Sequence, residues 1–413
     1  MRQTSKESAC LNREQYSMVK QTNKIIIWGR DNFNTLGLLR QLSGEGRIVF
    51  FLMWENPTGC ASASKFFGEY AVVESLEDGY EYLLTHFKDE PVKPVLFTPS
   101  DEIIEFVDQH RLELQKSVIL PGTRQSGLLT KVNDKNTMTE LAARLGFLIP
   151  ASRVCRWDTD ISDVKYPCIL KPAHTTVGHK NEFKYLICKN EKELQNALKY
   201  VRRKSEFILQ QYIPKESVAL VYGARMNNGK VRNAGVLIKD RFIASGDGSH
   251  GLLTTAYPSG VDVNQIKAFL EEIDYCGLFS FEYGLYKGNA YFFEVNLRND
   301  GTSHYFYQAG ANIPLAWYNS MVSEDDMSVG TSVIKNVWFI DEVFDVTNVW
   351  NRIISRKQWK KERAEATIFK YYDTDDKKPW ENVKRHRVKK ILKDTIIKKY
   401  RPYIVWMMDK LKH

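Results

Sequence analysis

The stretch from Leu278 to Arg298 constrains the fold more than any other part of this chain. It reads LFSFEYGLYKGNAYFFEVNLR, in which apolar and polar residues alternate on both sides of Lys-Gly-Asn. Alternation with a period of two around a glycine-containing turn predicts a β-hairpin. In the first arm, the alternation predicts that Phe279, Phe281 and Tyr283 lie on one face, and that Ser280 and Glu282 lie on the other. In the return arm it predicts one face with Tyr291, Phe293 and Val295, and the other with Phe292, Glu294, Asn296 and Arg298.

Two glutamates of this hairpin suggest a metal site. A turn centred on Gly288 places Glu282 directly opposite Glu294, where the Cβ atoms are only about 5 Å apart and like charges repel. Either one carboxylate is protonated or a positive charge lies between them. A divalent cation held by oxygens of Glu282, Glu294 and Asn296 is the simplest solution, magnesium first and manganese as the alternative. Arg298 is the residue type that holds a phosphate with a planar fork. The competing interpretation is a sheet edge whose polar face is in water.

Composition limits the class of protein. A chain of 413 residues, 43% hydrophobic and 26% charged, is typical of a globular protein with two or three domains. The first 23 residues are polar and lack the apolar region of a secretory signal, and no apolar run is long enough to cross a bilayer. The six cysteines form no CxxC pair, which predicts free thiols in a reducing cytoplasm.

The segment 24–125, after a polar leader at 1–23, is predicted to be an α/β domain. Apolar strands at Lys24–Gly29 and Arg47–Trp54 enclose a helical stretch at Thr35–Leu42, which is the pattern of a parallel sheet with crossover helices. The turn after the first strand lacks the GxGxxG pattern of a dinucleotide site. We therefore predict no nucleotide site in this domain.

The segment 126–325 contains candidate nucleotide contacts, with a small α+β subdomain, the lid, predicted at about 166–225. Lys135 precedes a helix and Lys171 ends an apolar strand, so both could reach phosphates. Taken alone, each could equally be a solvated surface lysine. The strand ending in Gln210–Ile213 could offer main-chain groups to an adenine, with Glu216 near the ribose, or could be ordinary core. The loops Phe242–Gly251 and Asn299–His304 are predicted to face a substrate, because specificity tends to lie in loops beside a site.

Together these segments resemble an ATP-grasp domain of the carboxylate–amine ligase type, similar to D-aspartate ligase-like proteins, preceded by the family's Rossmann-like domain. The resemblance implies that ATP contacts the following residues: Lys135, Lys171, Thr175, Thr176, Gly178, Gln210, Gln211, Tyr212, Ile213, Glu216 and Arg298. It implies magnesium on Glu282, Glu294 and Asn296, and a catalytic role for Arg298 and Lys171. The implied reaction activates a carboxylate as an acyl phosphate, which an amine then attacks. The substrates would be small molecules, such as an amino acid or a cell-surface polymer precursor.

The loop after Lys171 departs from the family pattern, because residues 174–180 (HTTVGHK) contain one glycine where the family is glycine-rich. The alternative function is therefore a catalytically silent, nucleotide-binding adaptor at the membrane surface.

The C-terminal part carries no family motif. Residues 326–382 are treated as an extension, and 383–413 as a basic amphipathic tail. Of the 59 basic residues, eleven lie in 384–413, together with two of the 50 acidic ones, so the tail accounts for the whole net charge of +9. Such a tail fits an anionic membrane surface on the inner face of the membrane. A solvated helix is the alternative, and nucleic acid is not expected because no aromatic–basic readout motif accompanies the charge.

Overall fold

The computed structural model describes residues 23–44, 47–173, 185–201, 205–214, 216–243, 246–323 and 329–387. Its strands are β1 Ile25–Gly29, β2 Val49–Trp54, β3 Glu69–Val73, β4 Val95–Phe97, β5 Gly122–Thr123, β6 Ser152–Cys155, β7 Cys168–Pro172, β8 Leu186–Cys188, β9 Phe207–Gln211, β10 Ser217–Arg225, β11 Val231–Phe242, β12 Gly248–Thr254, β13 Tyr275–Tyr286, β14 Asn289–Asn296, β15 Val337–Ile340 and β16 Ile368–Phe369. Its α-helices are α1 Phe33–Leu42, α2 Leu76–His86, α3 Asp101–Gln109, α4 Arg111–Leu114, α5 Leu128–Asn133, α6 Lys135–Arg144, α7 Glu191–Leu198, α8 Val263–Glu272, α9 Ser303–Gln308, α10 Ile313–Val322, α11 Asp345–Trp350 and α12 Arg356–Glu365. A further helical stretch covers residues 377–387.

The N-terminal domain is built on a four-stranded parallel sheet of order β3-β2-β1-β4. The first strand is buried on both faces, with Ile25 and Ile27 in one core and Ile26 and Trp28 in another. Parallel sheets are covered on both faces in this way because crossover helices return over them. The predicted parallel α/β domain is confirmed, and β3 is a strand that the sequence pattern did not indicate.

The lid is a second sheet, of order β6-β9-β7-β8, against which α7 packs. It differs from the predicted lid at 166–225 at both ends. Strand β6, which precedes that segment, pairs with β9. Strand β10 instead pairs with β11 and β13 in the large sheet. It is a central strand of that sheet, and most of its residues are buried.

The largest sheet has the order β14-β13-β10-β11-β12-β15-β16, with β5 paired to the start of β13. Its last two strands come from residues 329–387, which we call the extension. The extension is therefore part of the main sheet and of its core, in which Val337, Phe339 and Ile368 are buried.

Buried ion pairs join the extension to the rest of the molecule. Arg40 of α1 donates to Asp376 at 3.0 Å and to the Tyr371 carbonyl at 3.0 Å. Lys370 donates to Asp341 at 2.9 Å, and its ammonium lies 3.8 Å from the ring centroid of Phe33. The extension thereby connects the N-terminal domain to the large sheet.

Two global expectations can be compared with the described residues. No helix in these ranges combines the length and apolar character needed to cross a membrane. The five described cysteines, Cys60, Cys155, Cys168, Cys188 and Cys276, are free, as predicted.

Candidate active site

The predicted hairpin is present, and it brings the two glutamates together. β13 and β14 are antiparallel neighbours in which Glu282 lies directly opposite Glu294 and Ser280 opposite Asn296. Because paired residues share a face, these four polar side chains lie on one side of the sheet. The neighbouring strand adds Leu220 on that same side, in the core shared with the N-terminal domain. The polar face of the hairpin is therefore turned toward the N-terminal domain.

The predicted faces of the return arm were wrong for Phe292. The turn consists of Lys287 and Gly288, both with positive φ (50° and 74°), so the axis of pairing lies between them rather than on Gly288. A bulge at Phe293 then restores the pairing of the glutamates. Phe292 is consequently buried against Phe281, while Phe293 is only partly buried.

Lys239 provides a positive charge beside the two glutamates. Its Nζ lies 3.2 Å from Oε2 of Glu282, reaching across β10 from β11. Burial by itself lowers the pKa of Lys239, but the carboxylates of Glu282, Asp300 and Glu294 outweigh it and raise that pKa. The sequence argument considered a metal or a proton at this point and missed the lysine. Its only signal was a lysine closing the apolar run Val-Leu-Ile, the same pattern that identified Lys171.

Asp300 completes the polar face. Its carboxylate accepts hydrogen bonds from Ser280 Oγ at 3.1 Å and from Thr302 N and Oγ1 at 2.8 and 2.6 Å. Burial raises the pKa of Asp300, but Lys239 and Arg298 outweigh it, so the pKa is lower than usual and the group stays ionised. Asn296 Nδ2 donates to Ser280 Oγ at 3.2 Å and extends this network to the predicted metal ligands.

Arg298 connects the hairpin to the N-terminal domain. Its guanidinium donates to both oxygens of Asp101, at 2.6 and 2.8 Å, and to Asn296 Oδ1 at 3.1 Å. Asp101 is the first residue of α3, directly after the loop that follows β4. This bidentate contact has the geometry with which an arginine also holds a phosphate, and phosphate binding by Arg298 stays a prediction.

Next to Arg298 lies a crevice at the point where the strand order of the N-terminal sheet reverses, between the ends of β1 and β4. In open parallel sheets this is where ligands bind. Arg30, just after β1, stacks on Trp54 at 4.1 Å and is 3.4 Å from Glu55. Arg30 and Arg298 both lower the pKa of Glu102, although burial and the Ser100 hydroxyl have larger effects on it. Both cations therefore act electrostatically on the same carboxylate, at the edge of this crevice. Sequence reasoning missed Arg30.

The lid places two predicted residues in contact. Lys171 Nζ donates to Gln210 Oε1 at 2.7 Å, from neighbouring strands β7 and β9. Gln210 and Gln211 lie within the ladder of β9, and the Gln211 N–H is already bonded to the Ala151 carbonyl at 2.7 Å. Main-chain groups for an adenine are therefore more accessible at Tyr212, beyond the end of the strand.

The remaining predicted nucleotide contacts are more dispersed. Lys135 is exposed at the start of α6, which Asp134 caps. That helix packs on the hairpin, since Met138 Sδ accepts the N–H of Val295 at 3.4 Å. Glu216 accepts the N–H of Lys287 at 3.4 Å, at the turn end of the hairpin. Ile213 is buried. Thr175, Thr176 and Gly178 lie outside the described residues.

In the predicted substrate loop at 242–251, described residues contact the extension, and the backbone of Gly248 lies against the side chain of Lys239. Ser249 is buried and donates to Asp345 of the extension at 2.8 Å, and His250 stacks on Trp338. This segment contacts the extension because β12 pairs with β15.

Within the described ranges, no three His, Cys, Asp or Glu side chains form a group suited to a metal. The predicted set contains two carboxylates and one amide, and it stays a prediction. All its donors are oxygens, which suits a hard cation such as Mg²⁺.

Comparisons with known proteins support the fold. No protein-family model matches the chain. A D-aspartate ligase of Enterococcus faecium (strain Aus0004) is 26% identical over 256 residues, which is 55% of this chain and 58% of that protein, so the match spans less than two thirds of the relative. N5-carboxyaminoimidazole synthetase from Staphylococcus aureus, complexed with ADP, has a TM-score of 0.62 and 14% identity, covering 80% of this chain and 86% of that one. L-amino acid ligase from Bacillus licheniformis has a TM-score of 0.58 and 16% identity, covering 77% and 79%. The chain therefore has the ATP-grasp fold, preceded by a Rossmann-like domain, as its sequence resemblance predicted.

Proposed function

We propose that this protein is an ATP- and magnesium-dependent ligase that joins a carboxylate to an amine and releases ADP and phosphate. The observation that carries this proposal is the polar face of the hairpin. There Glu282 and Glu294 oppose each other beside Lys239 and Arg298. The two carboxylates have the short separation typical of paired strands, so they could bind a cation. The lysine and the arginine next to them could bind an anionic phosphate. The sequence relationship to a D-aspartate ligase points to the same chemistry.

Glu282, Glu294 and Asn296 would hold the metal, with Mn²⁺ as the alternative to Mg²⁺. When bound, the ion would neutralise charge on the phosphates and on the oxygens of the transferred phosphoryl group.

The side chains of the protein would position the reactants. Lys171, oriented by Gln210, and Lys135 would bind phosphates of ATP, while Lys239 and Arg298 would hold the transferred phosphoryl group. A carboxylate oxygen of the substrate attacks the γ-phosphorus, and the bond from that phosphorus to the bridging oxygen of ADP breaks. The amine nitrogen then attacks the acyl carbon, the carbon–oxygen bond to phosphate breaks, and the amine proton passes to phosphate or water. Lys239 and Arg298 would stabilise the negative charge that develops in both steps.

Asp300 has a place in this scheme. Because its pKa is lower than usual, its carboxylate is negative at neutral pH and would attract the ammonium group of an incoming amine. Arg30, in the adjoining crevice, would hold a second carboxylate of the substrate. These two charges favour an amino acid as a substrate, in keeping with the amino-acid ligases among the similar proteins.

The location in the cell is part of the proposal. Free cysteines suit the reducing cytoplasm. Residues 384–413 would attract the protein to the inner face of the membrane, where a cell-surface polymer precursor could be its acceptor. This step rests on the sequence, because residues 388–413 lie outside the described ranges.

The test is nucleotide turnover with Mg-ATP and pools of amino acids and small carboxylates, following ADP, AMP and phosphate. We expect ADP and phosphate with particular pools only, and loss of that signal in Glu294→Ala. Glu272→Ala, which removes an exposed carboxylate at the end of α8 that is paired with Arg144 and lies outside the predicted site, is the matched control and should retain turnover. Formation of AMP would exclude the acyl-phosphate route, and failure to bind ATP would exclude the proposal.

A further inference from the structure

Two large apolar side chains, three residues apart in the extension, are exposed. Trp350 at the end of α11 is 74% exposed, and Ile353 in the following turn is 59% exposed. Other large apolar residues of the extension, such as Ile354 and Phe339, are buried, whereas Ile334 is 81% exposed. An exposed tryptophan so close to an exposed isoleucine indicates a surface that a partner covers.

Basic residues surround this apolar pair. Arg352, Arg356, Lys357, Lys360 and Lys361 are all exposed, and the segment 346–361 contains no Asp or Glu. We call these five residues, with Trp350 and Ile353, the basic–aromatic surface. The nearest acidic partner is Glu365, whose carboxylate is 3.8 Å from Lys361 in an exposed pair of small energetic weight.

Contacts of Glu362 and Arg363, near the end of α12, fix the orientation of this surface. Glu362 binds Arg241 at 2.7 Å, and the Arg363 guanidinium lies 4.2 Å from the ring centroid of Phe369. Arg356 and Lys360 are four residues apart, and so are Lys357 and Lys361, so these four basic residues form one stripe on the solvent side of the helix. The stripe is part of the folded extension.

We propose that the basic–aromatic surface docks on an anionic phospholipid bilayer. Positive charge complements the negative surface of the membrane, and tryptophan beside an aliphatic side chain is suited to the boundary between headgroups and acyl chains. A nucleic acid would also attract the charge, but it offers no apolar layer for Ile353. This inference depends neither on the proposed ligase activity nor on residues 388–413.

The experiment is co-flotation of the full chain with vesicles of phosphatidylcholine, with and without phosphatidylglycerol, at low and high salt. We expect binding only to the anionic vesicles. Replacing Arg356, Lys357, Lys360 and Lys361 with glutamine should weaken low-salt binding by about 100-fold or more, since each basic residue near an anionic surface contributes about 1 kcal/mol. The matched control, Lys88, Lys116, Lys131 and Lys192 to glutamine, removes the same charge from exposed positions elsewhere and should have a much smaller effect.

A second pair of variants tests insertion. Trp350→Ala with Ile353→Ala should weaken binding by about tenfold, and this loss should persist at high salt because salt does not screen apolar burial. Tyr70→Ala with Leu112→Ala is its control, since these side chains are 60% and 61% exposed in the N-terminal domain.

The proposal is overturned if the wild-type chain does not bind anionic vesicles. It is also overturned if the glutamine variant or the alanine variant of the basic–aromatic surface binds them as tightly as the wild type does. It is also overturned if the glutamine variant loses binding to single-stranded RNA but keeps vesicle binding. Because every substituted side chain is exposed, equal thermal unfolding of all variants would show that folding is retained.

Discussion

The hairpin and the extension both gather charged side chains, but they do so differently. In the extension three buried ion pairs match opposite charges: Arg40 with Asp376, Lys370 with Asp341, and Arg241 with Asp345. The buried Glu342 carboxylate is satisfied by backbone N–H groups instead. On the hairpin two glutamates oppose each other, and Glu282 is 21% exposed beside Lys239. Matched, buried charges indicate a structural role, whereas crowded like charges at a partly open surface indicate a site that awaits a ligand.

The largest effect that we expect from this contrast is a loss of folding stability when a buried ion pair of the extension is broken. Lys370→Met keeps the aliphatic stem but leaves the buried Asp341 carboxylate without its ammonium partner. We expect a loss of about 4 kcal/mol in the free energy of unfolding, because breaking a buried pair leaves a charge uncompensated. Urea titration measures it. Lys361→Met, which removes only the exposed pair with Glu365, should change the free energy by less than about 0.5 kcal/mol. Equal losses in the two variants would contradict the structural role.

On the hairpin the expected effect is on turnover. Arg298→Lys keeps the charge but cannot present two parallel donors, so ATP turnover should fall by about 100-fold. Asp101→Asn breaks the same contact from the other side. Because Asp101 is 54% exposed, that variant should lose less than about 1 kcal/mol of stability and keep most of its turnover. If Asp101→Asn lowered turnover as strongly, Arg298 would act by fixing the N-terminal domain and not by holding phosphate.

His304 lies where the two regions meet, and it predicts a pH dependence. Burial, and then the nearby Arg40, lower the pKa of His304 to about 3. The folded protein therefore holds the ring neutral, whereas the unfolded chain takes up a proton near pH 6.5. Since the unfolded state binds more protons between these values, stability should fall as pH drops from about 6.5 toward 3, by about 2 kcal/mol at pH 5. His304→Gln should lack this component. Denaturant unfolding at pH 7 and pH 5 compares the two proteins, and equal losses would show that other groups are responsible.

The contrast between the hairpin and the extension also explains which parts of the fold and of the site could be predicted from the sequence. The opposed glutamates follow from local alternation and a short turn, so they could be inferred from twenty residues of chain. The parallel sheet of the N-terminal domain follows equally from apolar runs and their spacing. Asp300 directly follows the hairpin, in the loop Asn299–His304 that was predicted to face a substrate. Lys239 and Arg30 approach the hairpin only through strand order and domain packing, which no local pattern specifies.

The extension shows more clearly which contacts a local sequence pattern cannot predict. β15 joins the sheet next to β12, so Ser249 and His250 pack on residues roughly ninety positions later in the chain. Their loop was predicted to face a substrate because specificity tends to lie in loops beside a site. Polar residues satisfied by distant partners and polar residues facing solvent look alike in a sequence.

One non-glycine residue in each region has a left-handed backbone, which allows a small and closely matched comparison. Lys287 in the hairpin turn has φ 50°, and Arg352 in the basic–aromatic surface has φ 58°. Asparagine tolerates this conformation better than either, so Lys287→Asn and Arg352→Asn should each raise the free energy of unfolding by about 0.5 kcal/mol. Lys287→Asn would create the Asn-Gly sequence preferred in two-residue hairpin turns. The two variants should differ only in vesicle co-flotation, where Arg352→Asn alone removes a charge from the docking surface and weakens low-salt binding by about fivefold. If Lys287→Asn weakened binding to the same extent, the membrane would be sensing net charge and not the surface around Trp350.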